Sequence, residues 1–141
     1  NGVLFCCKDT ATTEIYTLSL HDACRIWEHI SRGILPGVDT VILVSDCSRR
    51  GIQAVGRIAR LVPECGLKPK KIGLIVNRAP KGVLNDGVRE EIEKQNLELL
   101  GVVPQDEGVY EFDSAGTPTT QLPEDNPVRQ ALYKIMDGLE L

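Results

Sequence analysis

Residues 38–62 read VDTVILVSDCSRRGIQAVGRIARLV, a short apolar run followed by an amphipathic stretch. The run is rich in β-branched residues and too short for a buried helix, so it predicts a central strand over residues 40–45. Ser48 is placed to cap the helix that follows, and Pro63 with Gly66 is expected to end it. The apolar positions of this helix recur at three or four residues and share one face, with the arginines in water: Ile52, Val55, Ile58 or Ala59, and Val62.

The same alternation repeats further along the chain. KKIGLIVN (residues 70–77) predicts a second strand, DGVREEIEKQ (86–95) a short helix with Val88 and Ile92 inward, and LELLGVVP (97–104) a third strand. Alternating strands and helices are typical of parallel strands joined by crossover helices. The predicted fold class is therefore α/β, with a partial parallel sheet.

The last third of the chain is predicted to hold a turn-rich stretch over residues 104–123 and then one helix. Asn126 is expected to cap this helix, and Pro127 to open it, because proline at the first helical position sacrifices no intrahelical bond. Its predicted buried stripe consists of Val128, Ala131, Leu132, Ile135 and Met136.

Composition narrows the class of protein. The 141 residues suit one domain, and 16 basic against 20 acidic side chains, with no basic run, argue against a nucleic-acid partner. No apolar stretch approaches the roughly 20 residues that span a bilayer, and no secretory signal is evident, so we expect a cytoplasmic protein without a membrane partner. The five cysteines are irregularly spaced, which predicts reduced thiols, with Cys47 and Cys65 as small buried or loop residues.

The first quarter of the chain has a different character. Residues 9–23 read DTATTEIYTLSLHDA and resemble an in-frame translation of a sequencing-library adapter, running on to about residue 26. We expect residues 1–27 to be a non-native segment and the natural upstream strands to be missing. The alternative is a half-buried strand, since residues 15–20 alternate in the pattern of one.

Candidate binding residues follow the strands, because ligands of open parallel sheets gather at the carboxyl ends of the strands. Asn77 follows the second strand, and its amide offers the donor and acceptor that adenine requires. The alternative is that Asn77 only stabilises the turn through its own backbone.

After the third strand, residues 101–109 read GVVPQDEGV. Pro104 cannot donate a hydrogen bond, so neighbouring backbone groups are left to line the edge of a flat base, with Val103 and Val109 as apolar cover. The alternative is an ordinary strand-to-helix turn with Asp106 as the helix cap.

A third polar segment, EHISRG (residues 28–33), carries Glu28, His29 and Arg32 beside a glycine. Such residues suit a phosphate-sensing loop, although a solvated helix end explains them equally well. His29 has no partner at ligand spacing, so no metal site is predicted.

Taken together, residues 28–141, about four fifths of the chain, resemble the second half of the MinD, ParA and nitrogenase-iron-protein class of deviant P-loop ATPases (SIMIBI-type P-loop NTPases). The segments EHISRG, VDTVILVSDCSRRGIQAVGRI, GLIVNR and LLGVVPQDEGVYEFDSAGTP are most similar to the CooC-type ATPases, which assist nickel insertion into carbon monoxide dehydrogenase. Residues 28–141 are thereby identified as the C-terminal part of a P-loop ATPase domain.

The resemblance implies a function for the parent protein: binding ATP with Mg²⁺, dimerising around it, and using hydrolysis to switch a metalloenzyme client such as carbon monoxide dehydrogenase. It also implies that adenine is gripped by one set of residues: Asn77, Arg78, Val103, Pro104, Gln105 and Asp106. It assigns no catalytic residue and no metal ligand to this chain.

The departures from the family pattern matter equally. The chain has no glycine-rich loop with lysines and a Ser or Thr to cradle phosphates and bind magnesium. Asp22 falls at the spacing of the family's switch aspartate, but Cys24, Arg25 and Ile26 replace the rest, and the family's metal-binding cysteine pair is absent. We therefore expect this fragment to be inactive alone. Two alternatives remain: a non-catalytic receiver-like module in which Asp46 accepts phosphate, and a partitioning ATPase of the same class.

Overall fold

The computed structural model describes residues 39–64 and 68–139, together with the backbone of residues 3–7. The described elements are, in chain order, β1 (Val3–Cys7), β2 (Thr40–Asp46), α1 (Arg49–Glu64), β3 (Lys71–Ala79), α2 (Asp86–Lys94), β4 (Glu98–Pro104), α3 (Glu107–Ser114) and α4 (Pro127–Gly138). Short 3-10 turns lie at Pro80–Gly82 and Thr119–Gln121. Residues 8–27 of the segment expected to be non-native and the polar segment of residues 28–33 lie outside the described residues, as do Cys65 and Gly66.

The strands form one sheet, in the order β1-β2-β3-β4 within the described residues, and every neighbouring pair is parallel. The α/β prediction with crossover helices is confirmed. β1 lies in a segment to which the sequence assigned no structure, and it pairs with β2 from Val3 opposite Thr40 to Cys7 opposite Val44.

Side-chain alternation along the strands divides the core into two layers. Val41 and Leu43 of β2 point to one face, where α1 and α2 pack through Ile52, Val55, Val62, Val88 and Ile92, all of them buried. Ile42 points to the opposite face, where it meets Ile135 of α4. The helix faces predicted for α1 and α2 are thus confirmed, and β2 is covered on both sides, as a central parallel strand should be.

The start of α1 also follows the prediction. The hydroxyl of Ser48 accepts a hydrogen bond from the backbone N–H of Gly51 at 3.0 Å, which satisfies one of the free donors of the first turn. The helix ends at Glu64, one residue after Pro63. Among the described residues, no helix is both long and apolar enough to cross a membrane.

Two predictions for the last third of the chain are wrong. The stretch predicted to be turn-rich contains α3, which has no buried residue and therefore no apolar period to detect; its one local signal is the cap Asp106. In α4, only Ile135 of the predicted stripe is fully buried, whereas Leu132 and Met136 are 44% and 42% exposed. α4 packs closely on β4, so that Ile135 occupies the space that a Cβ at Gly101 would fill. The cap at Asn126 and the start at Pro127 are confirmed.

Candidate functional site

The carboxyl ends of β3 and β4 are joined by a hydrogen bond beyond the regular ladder. Ala79 lies opposite Pro104 after a shift in register, and the backbone N–H of Gln105 donates to the carbonyl of Ala79 at 2.9 Å. The turn Pro80–Gly82 packs on the same point, because a Cβ added at Gly82 would lie 3.6 Å from Pro104 Cβ. The two segments that were predicted separately are therefore brought together at one edge of the sheet.

Asn77 is half-buried at this edge and lies directly opposite Asp46 of β2. Its side-chain oxygen accepts a hydrogen bond from the backbone N–H of Arg78 at 2.9 Å. This is the contact with its own backbone that the sequence offered as an alternative, but Asn77 lies within β3, two residues before its end, and the turn begins only at Pro80. The side chain can still form further hydrogen bonds, since an amide oxygen has two lone pairs and the amide nitrogen two donors.

The backbone after Asn77 is locally strained. Arg78 and Lys81 adopt φ angles of 56° and 54°, in the left-handed region that residues with a Cβ seldom occupy. Each such residue costs about 1–3 kcal/mol, and strain of this kind clusters at binding sites. The exposed Arg78 is held by this backbone at the same edge as Gln105.

The segment after β4 contributes mainly backbone. Val103 is 4% exposed and its side chain belongs to the core cluster that contains Ile135 of α4, so its side chain is not available at the edge. Pro104 is half-buried and Gln105 exposed. The carboxylate of Asp106 accepts from the backbone N–H of Val109 at 3.1 Å, which makes it the cap of α3 as the alternative interpretation expected.

One residue of this edge was not predicted. The amide nitrogen of Asn126 donates to Asp106 Oδ1 at 3.0 Å, so the caps of α3 and α4 are bonded to each other. The sequence indicated each cap separately. The hydrogen bond between them joins residues 20 positions apart, and no local pattern predicts it.

The end of β2 is a compact polar cluster. Ser48 Oγ donates to Asp46 Oδ1 at 2.9 Å, and the buried Ser45 hydroxyl donates to the Asp46 carbonyl at 3.0 Å. A side chain at Gly51 would collide with both Ser45 and Asp46. The receiver-like alternative requires an acidic cluster beside Asp46, and over residues 39–64 and 68–139 no group of three or more His, Cys, Asp or Glu side chains is placed to hold a metal ion.

Cys47 follows Asp46 directly and is a free thiol, half-buried against the core. Burial, and secondarily the negative charge of Asp46, raises the pKa of this thiol above its ordinary value. A raised pKa keeps the less reactive protonated form. Cys47 is therefore a small packing residue, as predicted.

No protein-family model matches the chain. Among curated proteins it is 31% identical over 112 residues to an ATP-binding protein of unassigned function, MJ0685 of Methanocaldococcus jannaschii; the match covers 79% of this chain and 44% of that protein. The chain therefore spans less than half the length of this relative.

Solved structures show the same fold. MinD cell division protein of Aquifex aeolicus superposes with a TM-score of 0.59 at 21% identity, covering 73% of this chain and 44% of MinD. The septum site-determining protein MinD of Pyrococcus horikoshii, solved in complex with Mg-ADP, superposes with a TM-score of 0.58 at 20% identity, covering 73% of this chain and 42% of that one. The described sheet and helices thus have the fold of part of a MinD-type P-loop NTPase.

Proposed function

We propose that this chain carries the adenine-recognition edge of an ATP-binding domain of the MinD and ParA type. The observation that supports this most is the hydrogen bond from Gln105 to Ala79, which brings the end of β3, with Asn77 and Arg78, and the Pro104–Asp106 segment to one edge of the sheet. Similarity to an ATP-binding protein and to the fold of an Mg-ADP-binding MinD supports the same proposal.

The residues at this edge suit the base of a nucleotide. Asn77 supplies an amide with both donor and acceptor. The ring nitrogen of Pro104 carries no hydrogen and cannot donate, so neighbouring backbone groups are left free to meet the base. In this proposal Val103 and Gln105 present peptide groups to the base, Arg78 lies beside it, and Asp106 holds the turn in place. The phosphates and Mg²⁺ are held in the parent protein by a glycine-rich loop that this sequence does not contain.

The test is titration of the isotope-labelled chain with AMP, followed through its backbone amide resonances, with GMP as the comparison. We expect AMP to shift the amides of Arg78, Ala79 and Gln105, and GMP to do so more weakly. Asn77→Asp keeps an oxygen for the Arg78 N–H but removes the amide donor, and should weaken AMP binding about tenfold.

The matched control is Asn96→Asp, which makes the same change at the opposite edge of the sheet. Asn96 has a φ of 53° just before β4, a conformation that aspartate also tolerates. Equal weakening by the two variants, or AMP shifts confined to residues away from Asn77 and Gln105, would contradict the proposal.

We further propose that the parent protein is a cytoplasmic, homodimeric ATPase of metallocentre assembly, with a nickel enzyme such as carbon monoxide dehydrogenase as its client. The order and spacing of the four resembling segments support this choice. A cell-division or partitioning ATPase is the second candidate, and the similarity in fold to MinD is compatible with it. The natural sequence upstream of residue 28 discriminates: both require a glycine-rich phosphate loop there, and only the first requires two cysteines separated by one residue.

A further inference from the structure

The side chain of Asn126 performs two separate tasks. Its oxygen accepts from the backbone N–H groups of Val128 and Arg129, at 2.9 and 3.3 Å, and so caps α4. Its nitrogen donates to Asp106 at 3.0 Å. Asp, Ser and Thr cap helices about as well as Asn, but an aspartate has no donor, and the hydroxyl side chains are shorter.

The orientation of the Asp106 carboxylate, which accepts from that donor, is itself fixed. Asp106 Oδ1 accepts both the Asn126 amide and the Val109 N–H of α3. The cap of α3 therefore cannot rotate without breaking a bond to α4, which is packed against β4 through Ile135. Asp106 is tied to the body of the sheet through a helix 20 residues further along the chain.

Gln105 lies between two anchors as a result. On one side its backbone N–H is bonded to Ala79, and on the other its neighbour Asp106 is bonded to Asn126. Without the second anchor the exposed turn after Pro104 would be held to the sheet by a single hydrogen bond. The geometry of Gln105 relative to Asn77 thus depends on Asn126.

From this we infer that Asn126 is a positioning residue for base recognition: its amide donor, separately from its capping role, holds the Pro104–Asp106 turn in the geometry that meets adenine. This inference rests on the proposed adenine-binding function. It predicts that losing the donor, with the cap kept, loosens the turn and weakens the preference for adenine.

The test uses the full chain with Asn126→Asp, which keeps the cap oxygen, removes the donor and places two carboxylates together. We expect the Gln105 amide to exchange with solvent about tenfold faster, while the Leu74 amide in the sheet is unchanged. AMP binding should weaken by a similar factor, and GMP binding much less. Asn126→Ser, which also caps but does not reach Asp106, provides a second variant if the charge pair prevents folding.

The double variant Asp106→Asn with Asn126→Asp serves as the rescue. The amide introduced at position 106 would then donate to the carboxylate introduced at position 126, while both helices keep a capping oxygen. Restored exchange protection and AMP binding support the inference. Unchanged Gln105 exchange in both single variants at Asn126, or no recovery in the double variant, overturns it. If the unaltered chain does not bind AMP, the proposed function fails and the inference with it; if it binds AMP and the variants bind equally well, only the inference fails.

Discussion

The side chain of Gln95, at the end of α2, lies across Gly56 of α1, in the space that a Cβ at position 56 would occupy. From there Gln95 donates to Glu91 at 2.8 Å and accepts from Arg60 of α1 at 2.8 Å. A Cβ at position 56 would therefore displace the Gln95 side chain. The pair joins the two crossover helices on one face of the sheet.

Whether replacing Gly56 by Ala raises or lowers the free energy of unfolding should therefore depend on Gln95. In a helix interior this change ordinarily stabilises by about 1 kcal/mol. Here we expect no gain, or a loss, because Gln95 must leave Glu91 and Arg60. In the Gln95→Ala background the gain of about 1 kcal/mol should reappear. Urea unfolding of the four species measures this, and a full gain from Gly56→Ala alone would contradict the contact.

We expect the free energy of unfolding to depend on pH through Glu91. Its side chain is 1% exposed, and the hydrogen bond from Gln95, assisted by Gln53, Lys94 and Arg49, lowers the pKa of Glu91 below its ordinary value of 4.5 against the opposing effect of burial. Because the folded-state pKa is the lower one, the stabilisation is present above the unfolded pKa and is lost as pH falls through the folded pKa.

The measurement is the free energy of unfolding of the unaltered chain and of Glu91→Gln, from neutral pH down to acid. We expect the advantage of the unaltered chain to shrink as the pH falls from 4.5, where the unfolded carboxylate takes up its proton, through the lower pKa of the folded state. Glu93→Gln, an exposed position on the same helix, is the control and should show a much smaller dependence. If the stability of the unaltered chain relative to Glu91→Gln grew on acidification, the prediction would be contradicted.

Two alanine substitutions on α4 test which of its faces is packed. Ile135→Ala should cost about 2–5 kcal/mol, because this side chain is buried over Gly101 and beside Ile42 and Val103. Leu132→Ala should change stability by about 0.5 kcal/mol or less, as expected for an exposed position. Comparable losses at both positions would mean that Leu132 is covered in solution. Thermal or urea unfolding decides between the two results.

The purified chain should hydrolyse no ATP. Hydrolysis in this class depends on phosphate positioning and charge neutralisation by a glycine-rich loop and its magnesium, and the sequence contains no such motif. A phosphate-release assay at millimolar ATP and Mg²⁺, repeated after a second purification step, provides the measurement. Activity that follows the chain through that step would contradict the prediction.

Repeating local patterns were sufficient to place most of the described elements. β2 is recognisable because a central parallel strand is apolar on both faces, and α1 because a helix packed on a sheet needs one apolar stripe. The caps Ser48 and Asn126 belong to the same category, since a cap acts on the next few residues. α3 was foreseen only in the alternative that made Asp106 a helix cap, because none of its side chains is buried.

The exposed face of α4 marks the limit of such patterns. Leu132 and Met136 have the spacing of a buried stripe, yet burial depends on what lies opposite, and of the stripe only Ile135, over Gly101 of β4, is buried. Periodicity therefore identified the correct side of the helix but overestimated the width of the packed face.

The candidate site divides in the same way. The sequence was sufficient to place Asn77 near the end of β3 and Gln105 directly after β4, because strand ends are local and parallel strands end at one edge. That Gln105 is bonded to Ala79, and Asp106 to Asn126, depends on strand register and on the packing of α4 against β4, which are contacts between residues far apart in the chain. Such contacts form only when the whole sheet is assembled, and that is why the positioning of the proposed base edge could be found only in the folded molecule.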